Sequence, residues 1–336
     1  MIDTVVLAFT DSLVKFVQPT ELFEVFVNGL SKASLYVMIA SGLTLIFGLL
    51  GVLNFAHGSL TMIGAYLGGA VMVMTVSTST GPWMRLAFFF VGLAVVFGVL
   101  TGIGGALEVG LIRKLYDRPP IYQILLTFGL TLIIDELMRI ILQFYDLQPM
   151  SDWQQALGTK PAFLTETLSL GPLSAQGLAL FEILMGLLTV IGIWAFLTRT
   201  RYGLFIRAGS EDDEMAAALG IDVRQVFTVV FALGIGVAGA AGMLLMWDSL
   251  WAASVPLGAE TLLPAFVVVI VGGLGTFRGT VVAALLVGMT DAVMTWWFVH
   301  EIRFSGLPEL TIFLILVGVL IVRPQGLYGV EGVGGH

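Results

Sequence analysis

The stretch SGLTLIFGLLGVLNFAHGSLTMIGAYLGG, Ser41 to Gly69, decides how this chain is read. It is apolar and helical in pattern on both sides of a short break carrying Asn54, His57 and Gly58. Backbone groups freed by such a break find no partner in hydrocarbon, so it belongs where protein or a water-filled cavity can satisfy it. Discontinuous membrane helices of this kind border transport pathways. The residues leave a second reading open, an ordinary helix end at the membrane surface.

Outward from this break the chain remains apolar. Of 336 residues 58% are hydrophobic and 11% charged, with a mean hydropathy of +1.00, against roughly a quarter charged in a soluble domain. A spanning helix takes about 20 apolar residues, and apolar stretches run at 24–53, 59–78, 84–112, 121–146, 176–197, 226–247, 262–275, 280–298 and 309–322. The 262–275 stretch is short for a full span and reads as re-entrant or as half of a broken helix. The expected fold is all-α, a polytopic transmembrane helical bundle of about eight or nine crossings with one or two interrupted helices. The absence of cysteine excludes disulfides, zinc fingers and iron–sulfur sites. A net charge of −8 lacks the basic footprint of a nucleic-acid binder. Asp3 precedes the first apolar residues and no Lys or Arg comes before Lys15, the wrong polarity for a cleaved secretory signal. Residues 1–23 therefore read as a retained interfacial segment, 24–328 as the membrane domain and 329–336 as a tail.

Cytoplasmic connections retain Lys and Arg. Arg113, Lys114, Arg118, Arg199, Arg201, Arg207, Arg224 and Arg323 fall on one side, and Arg85, Lys160 and Arg303 on the other. The first set is placed in the cytoplasm, with the N-terminus outside and the C-terminus inside in a nine-crossing count. Charges within the apolar windows are Glu108, Asp135, Glu136, Arg139, Glu182 and Asp291, each needing a partner, water or an interface. Asp135 and Arg139, spaced i, i+4, are expected to pair, a proton or substrate relay being the other reading. A second interruption, Leu274 to Gly279, has an outline like that of Leu53 to Gly58. Small residues at Gly64 and Gly68, at Gly98 and Gly102, and at Gly234, Ala238 and Gly242 are spaced for close helix packing.

The loop TRTRYGLFIRAGSEDDEMAAALGIDVRQ, Thr198 to Gln225, has helix logic of its own. Ser210 is placed to cap a helix, Glu211 and Asp212 put acid in its first turn, Ala216 to Ala218 favour it, and Gly220 ends it. Asp222 then caps the next helix. A two- to three-turn cytoplasmic helix tethered at both ends can seat in another protein's groove, or can be a solvated connector. No G-x-x-x-x-G-K-[ST] phosphate loop exists in the chain, so it holds no P-loop ATPase site.

Together, GLTLIFGLLGVLNFAHGSLTMIGAY, RAGSEDDEMAAALGID, GGLGTFRGT and the terminal RPQGLYG resemble the permease subunits of bacterial branched-chain (hydrophobic) amino acid ABC importers, over residues 24 to 328. The NFAHG form at 54–58 is similar to that of the shorter of the two permease types. The resemblance implies a multi-pass protein of the bacterial inner membrane. Its partners would be a second homologous permease, two nucleotide-binding ATPase subunits and a periplasmic substrate-binding protein, with ATP and Mg held by the ATPases and no cofactor or metal in this chain. It implies that Ser41, Thr44, Asn54, His57, Gly58, Gly272, Gly273, Gly275 and Thr276 line or gate the pathway. It also implies that Arg207, Ala208, Glu211, Asp212, Glu214, Ala217, Gly220 and Ile221 couple to the ATPases, by position more than by identity, since the acids Glu211 to Glu214 depart from the commoner Glu-Ala-Ala form. Other readings are the same machine carrying urea, amides or other small solutes, a secondary carrier using Asp135 or Asp291, and a membrane enzyme centred on His57.

Overall fold

The computed structural model describes residues 12–146, 158–248, 253–301 and 307–329. Every one of the nine apolar stretches is a helix. These are α1 (Pro19–Leu50), α2 (His57–Thr75), α3 (Pro82–Gly110), α4 (Pro120–Phe144), α6 (Gly177–Arg199), α9 (Val223–Leu245), α10 (Leu257–Gly272), α11 (Phe277–Thr295) and α12 (Leu307–Val322). The remaining helices, α5 (Ala162–Thr165), α7 (Arg201–Glu211) and α8 (Asp213–Ala218), lie in connections. Six of the described helices are long and apolar enough to cross a membrane, whereas α10 and α12 are shorter apolar helices. At 1.5 Å per residue α10 spans about 24 Å, less than the ~30 Å of hydrocarbon.

α1 is the axis of the bundle. Pro19 stands in its first turn and Gly51, at φ +66, ends it with its N–H on Phe47 O. The start at Pro19 falls inside the segment expected to be interfacial. From Val25 to Leu49 it is buried almost continuously, against α11, α9, α6 and α10. α11 runs antiparallel to it. Thr280 meets Thr44, Gly288 packs on Ala33, Gly29 packs on Met289, and Trp296 reaches Glu21. Backbone approaches replace the hydrophobic effect where lipid surrounds the helices: Gly42 meets Gly234 O, Gly64 meets Gly239, and Gly242 meets Thr61 O. Gly98 and Gly102, expected to pack in the same way, face open space instead.

The intramembrane charges are placed at interfaces between elements. Glu108, fully buried near the C-terminal end of α3, takes Arg113 Nη2 at 2.7 Å and Nε at 3.0 Å, Tyr116 Oη at 2.9 Å and Thr228 Oγ1 of α9 at 2.8 Å. Asp291 accepts from Lys32 Nζ and Tyr36 Oη, both at 2.9 Å, joining α11 to α1. Glu182 of α6 accepts from Ser31 of α1. Near the start of α3 Arg85 donates to Gly158 O, and Lys160, lowered in pKa by burial, lies near Asp248. The expected Asp135–Arg139 pair does not form. Arg139 turns to Glu136 at 3.4 Å on the exposed face of α4, because Asp135 faces α2 and accepts from Ser59 Oγ at 2.7 Å.

One β-hairpin, Thr167–Leu170 with Leu173–Gln176, lies in the connection before α6, closed by Gly171 at φ +67 and Pro172. Phe16, in a short helical stretch before α1, stacks edge-on against Trp296 at 4.9 Å.

Candidate translocation and coupling sites

The break is deeper than a helix end. Beyond Gly51 the chain turns back along α1 through residues 51–54, and α2 begins inside the bundle. His57 Nε2 donates to Ile39 O at 2.9 Å, which places the start of α2 about 16 Å short of the end of α1 by helix rise. Leu53 O accepts from Thr127 of α4 at 3.3 Å, and the Phe55 ring lies 5.1 Å from Phe266 of α10. The return segment is thus held between α4 and α10.

Ala56, at the N-cap of α2, has no polar side chain, and Asn54 supplies the cap: its Oδ1 accepts from Ala56 N at 3.2 Å and its carbonyl accepts from His57 N. Among the described residues its Nδ2 has no hydrogen-bond partner although Asn54 is only 1% exposed, and His57 Nδ1 is equally orphaned. Gly58 packs against Gly258 O, and Gly258 in turn against the Ser59 backbone, so the first turns of α2 and α10 meet. Pro264 within α10 removes the helical donor for Glu260 O. Ser41 and Thr44, expected beside this break, are occupied structurally, Ser41 on Val37 O and Thr44 on Thr280 at 2.7 Å.

The second interruption lies at the other end of α10. Gly273 at φ +100 and Gly275 at φ +79 form a tight turn, and Thr276 Oγ1 donates to Gly273 O at 2.8 Å. A Cβ on Gly275 would lie 2.7 Å from Gly48 Cα. The RPQGLYG segment fastens the turn: Leu327 N donates to Val271 O at 2.8 Å and Tyr328 N to Gly272 O at 3.0 Å. Sequence reasoning placed Gly272, Gly273, Gly275 and Thr276 with Asn54, His57 and Gly58 along one pathway. The structure puts the two groups at opposite ends of α10, and their outlines differ in backbone, an irregular return in one and a left-handed glycine turn in the other.

The loop Thr198 to Gln225 is two helices, not one. Thr200 caps α7 by accepting from Gly203 N at 3.1 Å. Ser210 lies inside the last turn of α7, its hydroxyl on Arg207 O, and Asp212 is the cap of α8, accepting from Met215 N at 2.8 Å. Ser210 is therefore not the cap, because the helix it was expected to open has already begun at Arg201. Gly220, at φ +86, ends α8 with Ile221 N on Ala216 O at 3.1 Å, and Asp222 accepts from Gln225 N to begin α9. Glu211, Asp212, Glu214, Met215, Ala217, Leu219 and Gly220 are exposed, with Leu219 at 77%. Arg207 donates to Leu197 O at the end of α6, and Ile206 and Gly209 of α7 approach Leu49 at the end of α1. Ala208 is half-buried beside them.

A cavity of about 420 Å³ lies between the two regions, bordered by Thr44, Gly48, Arg207, Ser210, Thr276 and Arg278 among others. Arg278 and Ser59 were not singled out from the sequence. Arg278 stood in the interrupted motif as a basic outline only, and nothing in the spacing joins Ser59 to Asp135.

The description "Branched-chain amino acid transport system / permease component" belongs to a family model that matches residues 25–323. The chain is a member of that permease family. This permease is similar to the high-affinity branched-chain amino acid transport system permease protein LivH of Escherichia coli, 26% identical over 309 residues, 90% of this chain and 94% of the relative. It is 28% identical over 312 residues to BraD of Pseudomonas aeruginosa, again with 90% and 94% covered. A probable LivH of Methanocaldococcus jannaschii is 26% identical over 303 residues, 89% of this chain and 90% of the relative. No solved structure matches. The permease is thus a multi-pass membrane transport subunit of an ABC importer.

Proposed function

We propose that this permease carries branched-chain or other hydrophobic amino acids inward, driven by ATP hydrolysed on two partner ATPase subunits, beside a second homologous permease and below a periplasmic binding protein. The observation that supports it is α8. It is a short surface helix with both ends capped, exposed along Glu214, Met215, Ala217 and Leu219, and joined without slack to α7 and α9. Capped ends make it a rigid handle.

A push on α8 has two routes into the bundle. Through α7 it reaches Leu49 at the end of α1, by way of Ile206 and Gly209. Through α9 it reaches Gly234, whose carbonyl abuts Gly42 beside the His57 ring. Both routes arrive at the helix that holds the break. ATPase closure would tilt α8, shift the end of α1 against α9, and open the return segment at 51–56 toward the loaded binding protein. Hydrolysis would reset it.

Gly220→Pro removes the N–H that bonds Ala217 O and a φ of +86 that proline cannot adopt. The variant, and Glu214→Arg on the exposed face, are expected to abolish leucine uptake by the reconstituted importer while the permease still inserts in the membrane. Undiminished uptake with either variant removes α8 from the coupling path.

A further inference from the structure

Two helices begin at one point inside the bundle. The first turns of α2 and α10 touch backbone to backbone at Gly58, Ser59 and Gly258. At α10 the Leu257, Gly258 and Glu260 N–H groups already bond Ser254, Val255 and Pro256 O, whereas at α2 the Gly58 and Ser59 N–H groups have no partner among the described residues and carry the partial positive charge of a helix N-terminus. A carboxylate suits such a point. Beside it lies a buried amide donor, Asn54 Nδ2, that no described residue satisfies. Its Oδ1 is on Ala56 N, so the orphaned donor is fixed at the α2 end. A buried unsatisfied donor inside a membrane bundle is costly, and such groups call for a ligand, a water or a functional role.

On the other side of the same turn is an acid. Asp135 of α4 spends Oδ1 on Ser59 Oγ at 2.7 Å, and Oδ2 has no partner among the described residues. The arginine four residues on, which would have neutralised it, is engaged with Glu136. An apolar wall adjoins, the Phe55 and Phe266 rings, both half-buried. Donors, one free carboxylate oxygen and an aromatic wall thus surround a single helix junction.

We propose that this junction is a transient seat for the zwitterionic head of an α-amino acid: its carboxylate on the α2 N-terminus and Asn54 Nδ2, its ammonium on Asp135, its apolar side chain along Phe55 and Phe266. This rests on the amino-acid reading above and adds to it the residues that read the shared main-chain group. The seat recognises what all such substrates have in common and leaves the side chain to a smooth wall.

The test is made on the assembled importer in proteoliposomes, with labelled leucine uptake and binding-protein-stimulated ATP hydrolysis measured side by side. Asp135→Asn keeps an acceptor for Ser59 and removes the charge; Asn54→Leu removes the orphaned donor. Each is expected to lower uptake about tenfold or more, the loss of a charge-assisted hydrogen bond, with hydrolysis within about twofold of wild type and all subunits still copurifying. Uptake within twofold of wild type in both variants overturns the seat, as does a parallel loss of uptake and hydrolysis with subunit dissociation, which marks the residues as structural. Failure of the amino-acid reading shows elsewhere, in a wild-type importer that takes up no leucine. If that importer instead carries urea and both variants carry it equally, the zwitterion seat falls while the importer reading stands.

Discussion

The turn at Gly272–Gly279 and the break at Asn54–Gly58 interrupt the bundle at opposite ends of α10, and they treat their polar groups differently. At the turn the carbonyls of Val271 and Gly272 are taken by Leu327 and Tyr328, the carbonyl of Gly273 by Thr276, and the glycines carry the left-handed backbone. At the break Asn54 Nδ2 and His57 Nδ1 remain, among the described residues, unpaired in full burial. A satisfied interruption is a fixed part; an unsatisfied one is held closed against a cost of about 1–3 kcal/mol per group. The break is therefore the element with a reason to move, and the turn the anchor against which it moves.

Substitutions at the two sites separate these roles. The largest expected effect is from Gly58→Val, since a side chain there overlaps Gly258 O of the backbone. Forcing α2 off α10 should cost about 3 kcal/mol or more, read as loss of uptake and a clear fall in the midpoint of thermal unfolding in detergent. Next is Asn54→Leu, which removes the orphaned donor, worth about 1–3 kcal/mol, and loses the bond to Ala56 N, worth about 1. Thermal stability should stay level or rise while uptake falls, a divergence that would vanish if Asn54 were structural. Thr276→Val should do the opposite. It deletes a satisfied hydroxyl and should lower stability by about 1 kcal/mol with uptake falling no further than stability accounts for. The smallest effect is Gly98→Ala, where nothing lies within 4 Å. A gain of up to about 1 kcal/mol from helix propensity is expected, measured as a small rise in the unfolding midpoint with uptake unchanged.

The helices were legible because each apolar stretch has to cross or enter hydrocarbon and has one way to do so. The deficiency of 262–275 was equally plain from its length. The caps at Gly220 and Asp222 were read correctly, since a left-handed stop and an Asx cap are local events. Ser210 is not a cap because α7 starts nine residues earlier, at Arg201 behind Thr200, and runs through it. The junction of α2 with α10 was not legible. It depends on the return of residues 51–54 into the bundle, and on Asp135 choosing Ser59 over Arg139, both settled by tertiary packing. Gly98 and Gly102 show the converse limit, since small-residue spacing marks a surface able to pack without naming its partner.

The strap formed by Gly326, Leu327 and Tyr328 has a consequence for how the protein is made. These residues leave the ribosome after every membrane helix described, yet they close hydrogen bonds on Val271 and Gly272 at the end of α10. Until they emerge, the left-handed turn below α10 has open carbonyls and α11 lacks its fixed starting point. The latch on α10 is thus made of residues synthesised well after it, and it closes over helices already translated.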